Sequence, residues 1–66
     1  MTELQNFIEG FGFGISAKEL AEKAYRHLDR KGYEISLLND RYLEVDGTRY
    51  FFSKSRKHER WIAKAW

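Results

Sequence analysis

The 66-residue chain has no cysteine and no proline, and among its last twenty residues it has almost no acid. The lack of cysteine excludes disulfides and thiolate metal sites, and fits a reducing compartment. Two histidines, His27 and His58, have no cluster of carboxylates beside them and cannot build a structural zinc site on their own. Apolar runs extend only a few residues, far below the ~20 that cross a bilayer. Met1-Thr2-Glu3 offers neither the basic start nor the apolar stretch of a secretory leader. The expectation is a cytoplasmic chain with no membrane partner. No Ser or Thr stands beside a base in a recognisable nucleophile motif. Gly10-Phe-Gly-Phe-Gly14 invites a phosphate-loop reading, but no strand precedes it, and neither the G-x-G-x-x-G nor the G-K-[ST] spacing is present. The reading is therefore a non-enzymatic protein with no metal and no cofactor.

What is present is a charge asymmetry. Residues 47–66 hold six of the twelve Lys/Arg residues and one acid, Glu59, for a net +5. Residues 1–46 set six cations against nine acids, for a net −3. The basic third is also aromatic, with Tyr50, Phe51, Phe52, Trp61 and Trp66 interleaved among Arg49, Lys54, Arg56, Lys57, Arg60 and Lys64. Cations beside flat rings suit a polyanion that has stackable faces, so nucleic acid, DNA or RNA, is the first partner to consider. A chain this short buries only about 60% of its unfolded surface. Its eleven Phe, Tyr and Trp residues compensate for that, and self-association as a homodimer would bury more.

The pattern predicts one α+β domain, with one or two N-terminal helices packed on a three- to four-stranded antiparallel β-meander. Residues 1–15 read as a short helix over 2–9 with an apolar edge of Leu4, Phe7 and Ile8, followed by a Gly/Phe connector in which the glycines let the backbone turn while Phe11 and Phe13 plug the core. Residues 16–32 read as the main helix, over 17–31. Ser16 and Glu19 form a capping box, Ile15 and Leu20 a hydrophobic staple, and Leu20, Ala21, Ala24, Tyr25 and Leu28 a buried stripe. Glu19–Lys23 and Glu22–Arg26 are spaced as i,i+4 ion pairs, and Gly32 supplies a left-handed stop.

Residues 33–66 read as the meander. Tyr33, Ile35 and Leu37 alternate with polar neighbours, Asn39-Asp40 offers a turn, and Asp46-Gly47 is a strong two-residue hairpin signal. That turn predicts the pairs Val45–Thr48, Glu44–Arg49, Leu43–Tyr50 and Tyr42–Phe51. Leu43, Val45, Tyr50 and Phe52 then share the face that seats the helix. The last residues fit either a final strand after a basic hairpin loop or a short terminal helix. As a strand they put Trp61, Ala63 and Ala65 on one face, and Arg60, Ile62, Lys64 and Trp66 on the other.

Two surfaces are candidates for binding. The first is the basic hairpin, where Lys54, Arg56, Lys57 and Arg60, with Lys64 beyond, would contact phosphates, and where an arginine could read guanine edges in a major groove. The plainer alternative is a solvated hairpin tip. The second is the sheet face with Tyr42, Arg49, Phe51 and Trp66, suited to stacking on single-stranded bases, with Trp61 as a further ring for stacking or base contact. An N-terminal arm covering those rings is the plainer alternative there. The acidic main helix is expected to face away. A protein-binding inhibitor or adaptor of phage or plasmid type, docking the same aromatic-basic patch on a host protein, is the competing reading, and a homodimer through the outer sheet face is compatible with either.

Overall fold

The computed structural model describes residues 2–38 and 42–65. Helices α1 (Thr2–Ile8) and α2 (Ala17–Arg30) precede strands β1 (Ile35–Leu38), β2 (Tyr42–Val45), β3 (Thr48–Ser55) and β4 (Arg60–Ala65). The strands form one antiparallel sheet in the order β1-β2-β3-β4, so the fold is α+β with its helices N-terminal to a meander. The expected turn at Asn39-Asp40, along with Arg41 and Trp66, lies outside the described residues.

Helix α2 forms for the reasons its sequence suggests. The backbone of Ser16 is extended, and its Oγ accepts the Glu19 N–H at 3.1 Å, satisfying one of the helix's orphan donors. Leu20, Ala21, Ala24 and Leu28 are completely buried along one stripe. The helix ends at Arg30, one residue short of expectation. Gly32, at φ +90°, donates to the Asp29 carbonyl, and Tyr33 N–H turns back to Leu28. The expected i,i+4 ion pairs do not close: among the described residues no carboxylate lies within 4.0 Å of Lys23 or Arg26.

The central hairpin follows its predicted register, pairing Val45 with Thr48, Glu44 with Arg49, Leu43 with Tyr50 and Tyr42 with Phe51. Asp46 and Gly47 take φ of 48° and 87°, the left-handed pair of a type I′ turn whose twist matches the strands it joins. Asp46 also ties this turn to β1, since its N–H donates to the Glu34 carbonyl and its carboxylate accepts the Glu34 N–H.

The chain closes with a strand, not a helix. Six residues of β4 pair with β3, from Ser55–Arg60 to Tyr50–Ala65. Trp61 thereby enters the core at 2% exposure, sets its ring edge-on to Phe13 at 5.9 Å, and donates its Nε1 proton to the Gly12 carbonyl at 3.0 Å. Helix α1, too short to persist alone, is held here as well. Leu4 and Ile8 join the core, while the Gln5 amide donates to the Trp61 carbonyl and accepts from the Ala63 N–H, both at 2.9 Å. One side chain thus satisfies two backbone groups on the outer edge of β4, which blunts that edge against further strand pairing.

The connector departs from expectation. Gly10, Gly12 and Gly14 do not adopt left-handed backbone, and a Cβ at Gly12 or Gly14 would meet nothing within 4 Å. The turn there does not depend on glycine. Phe11 and Phe13 are half-buried, each packed at the margin of the core and not inside it.

Candidate nucleic-acid interface

Cross-strand partners in a sheet share a face. The rows Leu37–Leu43–Tyr50 and Phe52–Ala63 therefore belong to the inner face, under the helices, with Trp61 beside them. The outer face carries the row Leu38–Tyr42–Phe51–Lys64, running across all four strands, flanked by Ser36–Glu44–Arg49 on one side and Ser53–Ile62 on the other. Both helices contribute to the inner core, and α1 lies against β4 and α2. Helix α1 therefore does not pack on β2 or β3, while Ala17 and Lys18 at the start of α2 line a depression with Tyr42, Phe51 and Phe52.

This geometry divides the expected binding residues into three groups. Tyr42, Phe51 and Lys64 form one continuous outer-face row, with Arg49 in the next row. Arg56 and Lys57 are exposed in the four-residue loop between β3 and β4, next to His58, whose N–H donates to Ser55 Oγ at 3.4 Å. Lys54 belongs to neither group. It pairs with Trp61 on the inner side of the sheet, where its ammonium sits 5.7 Å from the Phe13 ring centre and 5.4 Å from that of Trp61.

Two of the arginines have acidic partners within the chain. Arg49 Nε lies 3.3 Å from Glu44 Oε2, and Arg60 Nη1 lies 3.3 Å from Glu9 Oε1. Both pairs are substantially exposed, so they screen the cations without immobilising them. Trp61, expected to present a stacking surface, is a core residue instead. Among the described residues, Arg56, Lys57 and Lys64 have no carboxylate within 4.0 Å.

The cations of α2 lie outside both surfaces that the sequence suggests. Lys23, Arg26, His27 and Arg30 recur at the 3–4 spacing of one helix flank, and together with Phe7 and Phe11 they line a shallow depression between the two helices. Glu22 and Asp29 stand on the adjoining flank, and Glu19 lies one turn before Lys23 on the cationic flank itself, outside the depression. The visible signal was the spacing of those four cations, which the expected ion pairs with Glu19 and Glu22 obscured.

A second polar cluster at the start of α1 is structural. Tyr33 Oη donates to Glu3 Oε2 at 2.6 Å, while His27 Nε2 and Lys31 Nζ each lie 3.8 Å from Glu3 Oε1. His27 also stacks on Phe7, with ring centres 4.2 Å apart and planes 13° from parallel. The hydrogen bond to the Glu3 carboxylate, then desolvation, then the charges of Glu3 and Asp46 raise the Tyr33 pKa above its usual 10.0. The contact is therefore intact below that value and is lost as pH rises through the raised one. Among the described residues there is no group of three or more His, Cys, Asp or Glu side chains able to hold a metal ion, and no helix is long and apolar enough to cross a membrane.

Compared with known proteins, the chain matches no protein-family model, no curated protein and no solved structure.

Proposed function

We propose that this protein is a small, non-enzymatic nucleic-acid-binding module of the cytoplasm. The observation that carries the reading is the outer-face row Tyr42–Phe51–Lys64, in register across three strands, with Arg49 beside it and Arg56 and Lys57 at the tip of the adjoining hairpin. Half-buried rings on an open sheet give bases a face to stack on, and neighbouring cations neutralise the phosphates between them. Single-stranded DNA or RNA fits such a surface better than a duplex, whose bases expose only their edges.

The direct test is fluorescence anisotropy of labelled single- and double-stranded DNA and RNA, at about 50 and 200 mM salt, where phosphate contacts reveal themselves by the steepness of the salt dependence. A label on the oligonucleotide is preferable to tryptophan emission, because Trp61 is buried. Saturable binding that weakens with salt and is reduced by Arg56→Ala/Lys57→Ala supports the reading. Absence of saturable binding at the lower salt ends it.

A protein-binding role, as an inhibitor or adaptor, is favoured by a different observation. Glu44 and Glu9 neutralise Arg49 and Arg60, which leaves Leu38, Tyr42, Phe51 and Ile62 as the larger part of the outer face. In that case affinity rests on a few ring anchors and varies little with salt. A homodimer through this same face would occlude it, so binding and self-association would compete.

A further inference from the structure

The side of the molecule opposite the outer sheet face carries its own chemistry. Phe7 and Phe11 meet edge-on at 5.2 Å, and Lys23, Arg26 and Arg30 stand around them on the flank of α2. None of these three cations has a carboxylate within 4.0 Å among the described residues. Two residues further along the connector, Phe13 lines a second depression with Arg56 and Glu59, and Lys54 reaches over the same ring at 5.7 Å. Phe7 of α1, with Phe11 and Phe13 of the connector, thus links the α2 cations to the hairpin loop through three half-buried phenyl rings, and among the described residues Glu59 is the sole carboxylate lining either depression.

Gly12 and Gly14 flank Phe13 on this ridge and are exposed. Glycine normally costs conformational entropy in return for a left-handed backbone or a close approach. Here there is no left-handed backbone, and although the Gly12 carbonyl takes the Trp61 indole proton, a Cβ at either glycine would meet nothing within 4 Å. What that open side of the backbone permits is the close approach of something outside the chain.

We infer that this ridge is a second contact surface for a single nucleic-acid strand, with phosphates on Lys23, Arg26, Arg30 and Arg56, and bases against Phe7, Phe11 and Phe13. The inference rests on the nucleic-acid reading above and extends it to the helical side of the molecule. Charge complementarity selects the ligand, because the four cations Lys23, Arg26, Arg30 and Arg56 against one lining carboxylate, interleaved with rings, match alternating phosphates and bases. The three α2 cations span eight residues, about 10 Å of helix, enough to meet more than one phosphate. Arg56 and Lys57 sit where the ridge and the outer face converge, so one strand can pass from one surface to the other around the hairpin tip.

The test compares variants of the full chain for binding to a short fluorescein-labelled oligothymidylate. Lys23→Ala/Arg26→Ala/Arg30→Ala removes three charges from the ridge, and Arg49→Ala/Lys57→Ala/Lys64→Ala removes three from the other side. All six positions are exposed, so circular dichroism should show both variants folded. The ridge variant should bind at least tenfold more weakly at about 50 mM salt, with the log–log salt slope shallower by about 2, the loss expected for three single-strand phosphate contacts. Gly12→Ala/Gly14→Ala, which changes no charge, should weaken binding several-fold with no loss of thermal stability. If the ridge variant binds like the parent while the outer-face variant is weakened, the ridge is overturned and the outer-face reading survives. If the parent itself does not bind, both fail together. Wild-type affinity in the glycine variant removes the connector from the site, and stronger competition by duplex than by single strand overturns stacking as its mode.

Discussion

The two hairpins that share β3 are built on opposite terms. The β2–β3 turn uses Asp46 and Gly47 in the left-handed geometry that a two-residue connection demands, and it ties itself to β1 through Glu34. The β3–β4 loop, Arg-Lys-His-Glu, supplies three basic side chains and puts Glu59, a residue with a Cβ and a charge, at φ 53° where glycine or asparagine would rest more easily. The first hairpin is held together by local turn chemistry. The second depends on long-range support: Trp61 fills the core, its indole bonds to Gly12, and Gln5 of α1 pairs with the strand's outer edge. The difference teaches that the β3–β4 loop was free to depart from ideal turn chemistry because the strand after it is anchored elsewhere, and the loop uses that freedom to display cations.

Removing the anchor should have the largest effect. Trp61→Ala empties the biggest fully buried side chain in the molecule, a change that typically costs ~3–5 kcal/mol. In a domain of this size that is most of the total stability, and urea titration followed by circular dichroism should find the variant largely unfolded at room temperature. Gln5→Leu is the subtler version, since it keeps side-chain volume and leaves the Trp61 carbonyl and Ala63 N–H without partners at a partly buried edge. The expected loss is ~1–3 kcal/mol, and amide exchange should speed up at Ala63 well before it does in β2. A Gln5→Leu variant with unchanged exchange at Ala63 would show that α1 does not guard this edge.

In the first hairpin the sensitive position is Gly47. An alanine there has open space, but at φ 87° it bears the left-handed penalty, so Gly47→Ala should cost about 1 kcal/mol through backbone strain alone. The control is Gly12→Ala, which meets neither strain nor contact and should leave the unfolding midpoint level or slightly raised.

These contrasts also explain what could be read from the chain. The Asp-Gly hairpin was legible to the residue, because a two-residue turn fixes register and the resulting pairs place Leu43, Val45, Tyr50 and Phe52 inward together. Helix α2 was legible from Ser16, its stripe and Gly32 for the same local reasons. Residues 60–66 were not, because Arg-Trp-Ile-Ala-Lys-Ala-Trp alternates acceptably as a strand and clusters acceptably as a helix. What decides it is β3 on one side and Gln5, more than fifty residues away in sequence, on the other. Lys54 is exposed, as its charge suggests, but its pairing with Trp61 follows from the register of β4, and that is what brings its ammonium over the rings of Phe13 and Trp61. The α2 cations were overlooked because sequence spacing promised them partners that the folded helix does not provide.

The smallest effect tests the comparison most closely. If Glu59 is held left-handed only because β4 is anchored around it, then Glu59→Gly should relieve the strain and stabilise the protein by ~0.5–1 kcal/mol, the gain being trimmed by glycine's larger entropy when unfolded. The same change removes the one carboxylate beside Arg56 and Phe13. It should therefore tighten binding to a polyanion while steepening nothing else in the structure, and the two readouts are separable, since the strain term survives at high salt and the charge term does not. A stability gain that vanishes in high salt would mean that Glu59 acted through its charge and not its backbone. The contrast between a turn chosen for geometry and a loop chosen for display would then rest on the cations alone.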